Sequence, residues 1–259
     1  MIRRFFKNLI FPPKCMGCGE FAREHMLDLD IVPFCKKCHV AFEKEKRERC
    51  GSCGLEVFLC NCGTPFLEKC GVDHCMKLVK YSAMKESIGK NAVFYMKKKR
   101  NKEAFDFIAG QLAVGINRKK SELSVKNGVI LYVPRGRNGL NKYGFDQAKE
   151  LARRISALTD MRSVSLFYKN KTVKTEQKKL GLRSRLDLAK SAFSVNKDKL
   201  GELKGCDCIF LIDDVMTSGA SLGGCITCLK PHFKGKIVCV TVAKTGKSFK
   251  NPYSVLQFS

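Results

Sequence analysis

The feature that most constrains this chain is an apolar segment followed by two acids and a small, hydroxyl-rich loop. Residues 209–212 are apolar and predict a buried parallel strand, with Asp213 and Asp214 at its carboxyl end. The loop 217–221 then leads into apolar residues at helical spacing, namely Leu222, Cys225, Ile226 and Leu229. An open α/β sheet binds its ligand at this place, outside the carboxyl ends of its strands.

The loop and the acids together predict a site for a phosphorylated sugar. A small loop at a helix N-terminus can surround a phosphate with backbone N–H groups; here it consists of Thr217, Ser218, Gly219, Ala220 and Ser221. The carboxylates of Asp213 and Asp214 can hold ribose hydroxyls or a magnesium ion. The alternative is an ordinary strand followed by an Asp-rich turn.

This segment resembles the signature loop of the type I phosphoribosyltransferases, which bind phosphoribosyl pyrophosphate (PRPP). The resemblance implies that residues 217–221 match the phosphate loop, usually written T-T-G-x-T, with serine replacing threonine twice. It also implies that Asp213 and Asp214 contact the ribose hydroxyls, with magnesium accompanying PRPP. The expected fold is that of the family, a mostly parallel sheet flanked by helices.

The net charge indicates a polyanionic partner. The chain has 259 residues and a formal net charge of +25, far more than solubility requires. No apolar run approaches the roughly 20 residues of a membrane-spanning helix. Lys7 interrupts the apolar opening stretch, and two prolines follow at 12–13, so we expect no signal peptide.

Paired cysteines near the amino terminus predict a zinc-ribbon module. Without a secretion signal we expect a reducing, cytoplasmic setting, where paired cysteines are metal ligands rather than disulfides. Two C-x2-C pairs separated by sixteen residues can supply four thiolates to a tetrahedral zinc ion; they are Cys15, Cys18, Cys35 and Cys38. Such a module would scarcely fold without its metal.

A second set of cysteines predicts a further zinc site, with less certain partners. Cys50 and Cys53 form another C-x2-C pair, and either the nearer Cys60 and Cys62 or the farther Cys70 and Cys75 would complete it. His39 and His74 lie beside cysteines and are alternative ligands. The remaining cysteines are expected to be small core residues: Cys206, Cys208, Cys225, Cys228 and Cys239.

The rest of the chain alternates strand and helix patterns, which predicts a mostly parallel sheet covered on both faces. We expect a cysteine-rich module at 1–72 and a phosphoribosyltransferase-like domain at 73–259. The predicted strands are 77–82, 128–133, 163–168, 208–212 and 237–242, and the predicted helices are 85–99, 101–117 and 145–158. Residues 169–200 show no clear periodicity.

A second resemblance covers nearly the whole chain. The stretch I-F-P-P-K-C-M-G-C-G at 10–19, the later cysteine pairs and Y-G-F-D-Q-A-K-E-L-A at 143–152 are similar to the ComF family (ComFC-like). That resemblance implies PRPP binding and a part in natural transformation, in which single-stranded DNA is moved inward across the cytoplasmic membrane. It also implies protein partners of the uptake machinery at the inner face of that membrane.

Two departures from the family pattern concern the segment 143–147. Tyr143 stands where the family usually has Arg, and Asp146 where it has Asn. The change to tyrosine removes a charge that could have bound a phosphate, and Lys142, Arg137 or Arg135 are candidates to replace it. Alternatively, the segment is purely structural, capping a helix and placing Phe145 in the core.

Two basic segments complete the predicted site. Pro134-Arg135-Gly136-Arg137 follows a strand, as the pyrophosphate loop does in this fold, and Gly136 allows close backbone approach. The alternative is a solvated basic turn. The loop at 171–187 resembles the mobile flap that shields such sites, and the alternative is a basic surface.

Two functions remain open on the sequence. The first is a DNA-uptake protein that binds single-stranded DNA and PRPP; the basic run 97–100, with Tyr95 beside it, favours nucleic-acid contact. The second is a metabolic phosphoribosyltransferase that joins PRPP to a nucleobase or amine and releases pyrophosphate. A base-recognition pocket would separate them, and the sequence shows none.

Overall fold

The architecture comes from a computed structural model, which describes residues 14–21, 32–72, 74–81, 87–99, 101–170 and 191–245. The strands are β1 His74–Tyr81, β2 Gly128–Tyr132, β3 Ser163–Val164, β4 Phe167–Lys169, β5 Phe193–Val195, β6 Cys208–Met216 and β7 Lys236–Thr245. The helices are α1 Lys36–Arg47, α2 Pro65–Lys69, α3 Ile88–Lys99, α4 Lys102–Glu122, α5 Arg137–Tyr143, α6 Gln147–Thr159 and α7 Ala220–Leu229, with a 3-10 helix at Lys197–Leu203.

Five of the strands form one parallel sheet in the order β1-β7-β6-β2-β3. This confirms the predicted α/β class with a parallel sheet flanked by helices. After β2 the chain passes through α5 and α6 to β3, which lies next to β2 on the side away from β6. After β6 it passes through α7 to β7, which lies next to β6 on the side away from β2. The crevice for a ligand in such a sheet lies where neighbouring strands diverge in this way, here between β2 and β6.

Alternating apolar residues in β6 build two cores, one on each face of the sheet. Phe210 and Ile212 pack with α3, α4 and α6 on one face, and Ile209 and Leu211 pack with α7 on the other. The apolar side of α6 therefore lies behind β2, and that of α7 lies behind β6. This packing fixes the loops that enter the two helices at the same edge of the sheet.

The residues before β1 pack on both of these cores. Phe42 of α1 belongs to the first core, and Phe66 and Leu67 of α2 belong to the second. Helix α2 begins after Thr64, whose hydroxyl accepts a hydrogen bond from Leu67 N at 3.3 Å, and Pro65 occupies its first position. The cysteine-rich region and the sheet are thus in direct contact, while the division of the chain at 72/73 stays a prediction.

Three predicted elements differ from the structure. Strand β6 continues to Met216, so Asp213 and Asp214 lie within the strand rather than after it. The strand predicted at 163–168 is two short strands in different sheets, because β3 pairs with β2 and β4 pairs antiparallel with β5. The segment 134–137, for which a pyrophosphate loop and a solvated basic turn were the two predictions, ends in a helix, because α5 begins at Arg137.

Some sequence predictions concern residues outside this description. They include the opening stretch 1–13, the flap at 171–187 and Arg100 at the end of the basic run. Among the helices that the structure does describe, none combines the length and the apolar character needed to cross a membrane.

Candidate functional site

A cleft of about 710 Å³ opens at the carboxyl ends of β2 and β6. It lies at the divergence point of the sheet and is lined from three directions. The end of β6 and the start of α7 supply Asp213, Asp214 and Ser221; the chain from β2 through α6 supplies Val133, Pro134, Arg135, Gly136, Arg137, Asn138, Gly139, Asp146 and Ala148; β4 and the residue after it supply Lys169 and Asn170. The two acids and the Arg135–Gly136 turn, predicted from separate segments, are therefore brought together.

The acidic pair occupies two different environments. Asp214 faces cations, with its Oδ2 atom 3.2 Å from an Arg135 guanidinium nitrogen and 3.0 Å from Lys97 Nζ. Asp213 turns back on the backbone, where its Oδ1 accepts a hydrogen bond from Asp214 N at 2.8 Å. Burial, reinforced by the neighbouring Asp214 carboxylate, raises the pKa of Asp213 to about 8. The raised pKa of Asp213 favours its protonated form and so reduces the negative charge that this residue brings to the site.

The turn after β2 holds Arg135 against the acidic pair. Its backbone N donates to Asp146 Oδ2 at 2.7 Å, and its guanidinium lies 4.7 Å from the centre of the Tyr143 ring. Gly136 caps α5, and a Cβ there would lie 3.2 Å from Cδ of Lys169. Tyr143 thus supports Arg135 by cation–π stacking instead of supplying a charge of its own.

Asp146 serves as the N-cap of α6, as the structural alternative predicted. Its Oδ1 accepts from Lys149 N at 3.1 Å, while its other oxygen holds the backbone of Arg135. Phe145 packs against the first core, with its ring centroid 5.8 Å from that of Phe105. Asp146 also lines the cleft, so the same residue caps α6 and forms part of the wall of the site.

The loop 217–221 forms the entry to α7. Thr217, Ser218 and Ala220 are exposed, whereas Gly219 is buried with φ +79° and serves as the N-cap. Gly219 supplies no side-chain cap, and the backbone N of Ala220 donates to Ser218 Oγ at 3.4 Å. Amides at the start of a helix that lack an intrahelical partner favour an anion. Of the five predicted loop residues, Ser221 lines the cleft, whereas Thr217, Ser218, Gly219 and Ala220 are not among its lining residues.

The structure adds cations that the sequence had not placed in the site. Lys97, at the carboxyl end of α3, belongs to the basic run assigned to nucleic acid, yet its ammonium contacts Asp214. Lys169 begins the segment 169–200, in which apolar residues show no clear periodicity, so no local sequence pattern indicated that this lysine lies at the site. Among the described residues, four cations and three acids surround the cleft, and burial raises the pKa of one of the acids, Asp213. The cations are Lys97, Arg135, Arg137 and Lys169, and the acids are Asp146, Asp213 and Asp214. The electrostatics therefore favour an anionic ligand.

The basic run also presents an aromatic ring, but a different one from that predicted. Tyr95 packs against the first core, whereas Phe94 on the same helix is 50% exposed. Residues at i and i+3 are neighbours on a helix surface, so Phe94 and Lys97 share one side of α3. The exposed ring on this side of α3 is that of Phe94.

The first cysteine cluster gathers Cys15, Cys18, Cys35 and Cys38, all ligand atoms lying within 4.8 Å of one another. Around zinc, sulfurs at about 2.3 Å in a tetrahedron are separated by about 3.8 Å, and Cys18 and Cys35 are 3.9 Å apart. Burial acts to raise the pKa of Cys15, but backbone N–H groups, including that of Cys35 at 3.2 Å from its sulfur, lower it on balance. These donors favour the thiolate that zinc binds.

The second cluster consists of Cys50, Cys53, Cys60 and Cys62, again within 4.8 Å of one another. The nearer partners therefore complete it; Cys75 interacts with Cys239 in the second core instead. Burial opposes ionisation of Cys50, yet hydrogen bonds from the backbone of Ser52 and Cys53 lower its pKa to about 6. Both four-thiol groups fit structural zinc.

A buried lysine distinguishes the second cluster from the first. Lys77 of β1 is 3% exposed, and its ammonium lies 2.9 Å from Cys60 Sγ and 2.8 Å from Cys62 O. A tetrathiolate zinc site carries two negative charges, and an adjacent ammonium offsets one of them. Lys77 therefore ties this cluster to the sheet by charge as well as by hydrogen bonds.

The remaining cysteines and His39 lie outside both clusters. Cys208, Cys225 and Cys239 are buried core residues, as predicted, and Cys206 and Cys228 are partly buried. The His39 ring stacks on Phe34 with centroids 6.5 Å apart.

No protein-family model and no curated protein matches this chain.

Proposed function

We propose that the chain is a ComF-like protein with a type I phosphoribosyltransferase domain. It binds PRPP with magnesium in the cleft, binds single-stranded DNA, and acts in DNA uptake during natural transformation. The observation that carries the proposal is the meeting of the acidic pair with the Arg135–Gly136 turn and the start of α7 at the divergence point of the sheet.

Each part of the cleft has a role in this proposal. The loop 217–221 binds the 5-phosphate through backbone N–H groups at the start of α7. Asp214, with Asp213 behind it, holds the ribose hydroxyls, and Arg135 and Lys97 pair with pyrophosphate oxygens. Magnesium would bind with PRPP beside Asp213 and Asp214, where it would supply positive charge that offsets the charge of the pyrophosphate. Because Asp214 already contacts two cations, we expect the metal to bind together with PRPP and not before it.

Single-stranded DNA would approach from α3. Lys97 and the exposed ring of Phe94 lie on one side of that helix, and a cation beside an aromatic ring is a common platform for unpaired bases. The net charge of +25 adds a long-range attraction for nucleic acid. The same helix reaches Asp214, so DNA and PRPP would influence each other through Lys97.

The test is binding of a labelled oligonucleotide, single-stranded against double-stranded, at low and high salt, with and without PRPP and magnesium. We expect tight single-strand binding that weakens with salt and changes when PRPP is added. No binding at physiological salt would overturn the DNA part of the proposal.

The PRPP site is tested separately by calorimetry on a double variant, Asp213→Asn with Asp214→Asn. We expect this variant to lose PRPP binding. Asp198→Asn is the matched control, because Asp198 is exposed on the 3-10 helix and takes no part in the cleft. Unchanged PRPP affinity in the double variant would remove the proposed site.

Metabolic transfer to an acceptor is the second candidate, and one observation favours it. Lys169 and Asn170 line the same cleft but come from the β4–β5 ribbon, and they are not needed for either phosphate group. Lys169 would give an acceptor a polar group of its own, whereas the side-chain amide of Asn170 is engaged by Ser191 O and Ser194 Oγ. Release of pyrophosphate from PRPP in the presence of a nucleobase or amine would establish this reaction, and its absence across such a panel would exclude it.

A further inference from the structure

Thr64, which belongs to the cysteine-rich region, touches the loop that enters α7. Its hydroxyl donates to the backbone oxygen of Ser218 at 2.9 Å, across 154 residues of sequence. The same hydroxyl accepts from Leu67 N at 3.3 Å, and Thr64 is 7% exposed. Because its lone pair is engaged by α2, the single hydroxyl proton is directed at Ser218.

This hydrogen bond orients a peptide group of the loop. The oxygen of Ser218 and the N–H of Gly219 belong to one planar trans peptide, so they point in opposite directions. Anchoring the oxygen on Thr64 therefore turns the Gly219 N–H away from α2. In the proposed function, the phosphate would approach the start of α7 from that side.

The space behind the loop is closely filled. A Cβ on Gly219 would lie 2.7 Å from Thr64 Oγ1 and 2.8 Å from Leu67 Cγ. Any rotation of this peptide would also move Gly219 out of its left-handed conformation at φ +79°. The contact with Thr64 and Leu67 therefore supports one arrangement of the loop.

Thr64 is itself held by the second cysteine cluster and the sheet. It follows Cys62 by two residues, and the intervening Gly63 accepts a hydrogen bond from the Lys244 ammonium of β7. Lys77 of β1 donates to Cys62 O at 2.8 Å. The position of the hydroxyl is thus set by the end of the cluster on one side and by two strands on the other.

We propose that Thr64 is a positioning residue for the phosphate loop, which makes the cysteine-rich region a structural part of the phosphosugar site. The inference rests on the proposed function, since it assigns the loop to a phosphate. It adds a residue from outside the sheet domain to the site.

The test compares Thr64→Val, which keeps the size and loses the hydroxyl, with Thr64→Ser, which keeps the hydroxyl. The probe is ribose 5-phosphate, which engages the loop without pyrophosphate, and its affinity is measured by calorimetry on zinc-loaded protein. We expect Thr64→Val to weaken binding about fivefold, the effect of one hydrogen bond, and Thr64→Ser to stay within about twofold. Hydrogen exchange at Gly219, expected to be faster in Thr64→Val, reports on the loop itself.

The matched control is Thr227→Val. Thr227 lies on α7, and its hydroxyl donates to Gly223 O at 2.7 Å, away from the loop. We expect this variant to bind ribose 5-phosphate as the unsubstituted protein does. Zinc content and melting temperature are measured in parallel for every variant, to separate positioning from general loss of structure.

Each outcome has a distinct meaning. If Thr64→Val lowers the melting temperature but binds the probe normally, Thr64 only caps α2 and the inference is wrong. If the unsubstituted protein binds neither ribose 5-phosphate nor PRPP, the proposed function itself is wrong. Weaker binding in Thr64→Val alone, with two zinc ions retained and restored affinity in Thr64→Ser, supports the positioning role.

Discussion

Substitution of Gly219 by alanine tests the contact between the loop and α2 most directly. A non-glycine residue in the left-handed region costs about 1–2 kcal/mol. The added Cβ would also meet Thr64 Oγ1 at 2.7 Å and Leu67 Cγ at 2.8 Å. Overpacking of this kind costs about 1–3 kcal/mol. We therefore expect Gly219→Ala to lower the free energy of unfolding by about 2–5 kcal/mol.

Gly144 offers a matched control that separates the two contributions. It has φ +73°, but a Cβ built there meets no heavy atom within 4 Å. Gly144→Ala should therefore cost only the backbone term of about 1–2 kcal/mol. The difference between the two variants measures the contact with α2.

The assay is urea unfolding of zinc-loaded protein, followed by far-ultraviolet circular dichroism, with both variants compared at equal zinc content. A chain of this size is expected to lose about 2–4 °C in melting temperature per kcal/mol, so a thermal scan gives a second measure. If Gly219→Ala costs no more than Gly144→Ala, α2 does not pack behind the loop. Thr64 would then have no role in holding the loop.

Three other outcomes are expected. Lys97→Met should weaken PRPP binding about ten- to hundredfold in calorimetry, because a charge-assisted hydrogen bond is worth about 1.5–3 kcal/mol; unchanged affinity would mean that Lys97 pairs with Asp214 alone. Because the pKa of Asp213 is raised in the folded state, its contribution to stability is fully present below about pH 4 and is lost as the pH rises through about 8. Asp213→Asn should therefore have a higher free energy of unfolding than the unsubstituted protein at pH 9 and the same value near pH 4. Equal stability at both pH values would contradict the raised pKa. Elemental analysis should find two zinc ions per chain and one in either Cys18→Ser or Cys53→Ser, whereas loss of both ions in one variant would contradict independent sites.

Local patterns in the sequence were enough to predict the parts of the site that lie on neighbouring residues. The apolar run before Asp213 and the glycine-containing loop after it indicate a strand, a turn and a helix, and the structure has all three. The strand is longer than its apolar run because β7 pairs with it as far as Met216, with Asp213 opposite Thr241. Backbone pairing with a neighbouring strand can thus continue beyond the apolar residues by which a strand is recognised in the sequence.

Long-range contacts could not be predicted in the same way. The ion pair between Lys97 and Asp214 depends on how α3 crosses the sheet, and no periodicity within α3 specifies its partner. The division of the predicted strand 163–168 does correspond to a feature of the sequence. Leu166 and Phe167 are successive apolar residues that are both buried, and they interrupt the alternation of buried and exposed residues expected of one strand. Two successive buried residues mark the point where the chain leaves one sheet for the other.

The hydrogen bond between Thr64 and Ser218 also has a consequence for the order of folding. The two residues are separated by 154 positions, so most of the chain must be synthesised before they can meet. Contacts of such high sequence separation form late, because the intervening chain must first lose its freedom. During translation the cysteine-rich region emerges first and can take up its metal before the loop exists. We therefore expect the loop 217–221 to reach its native arrangement last, after the cysteine-rich region has folded.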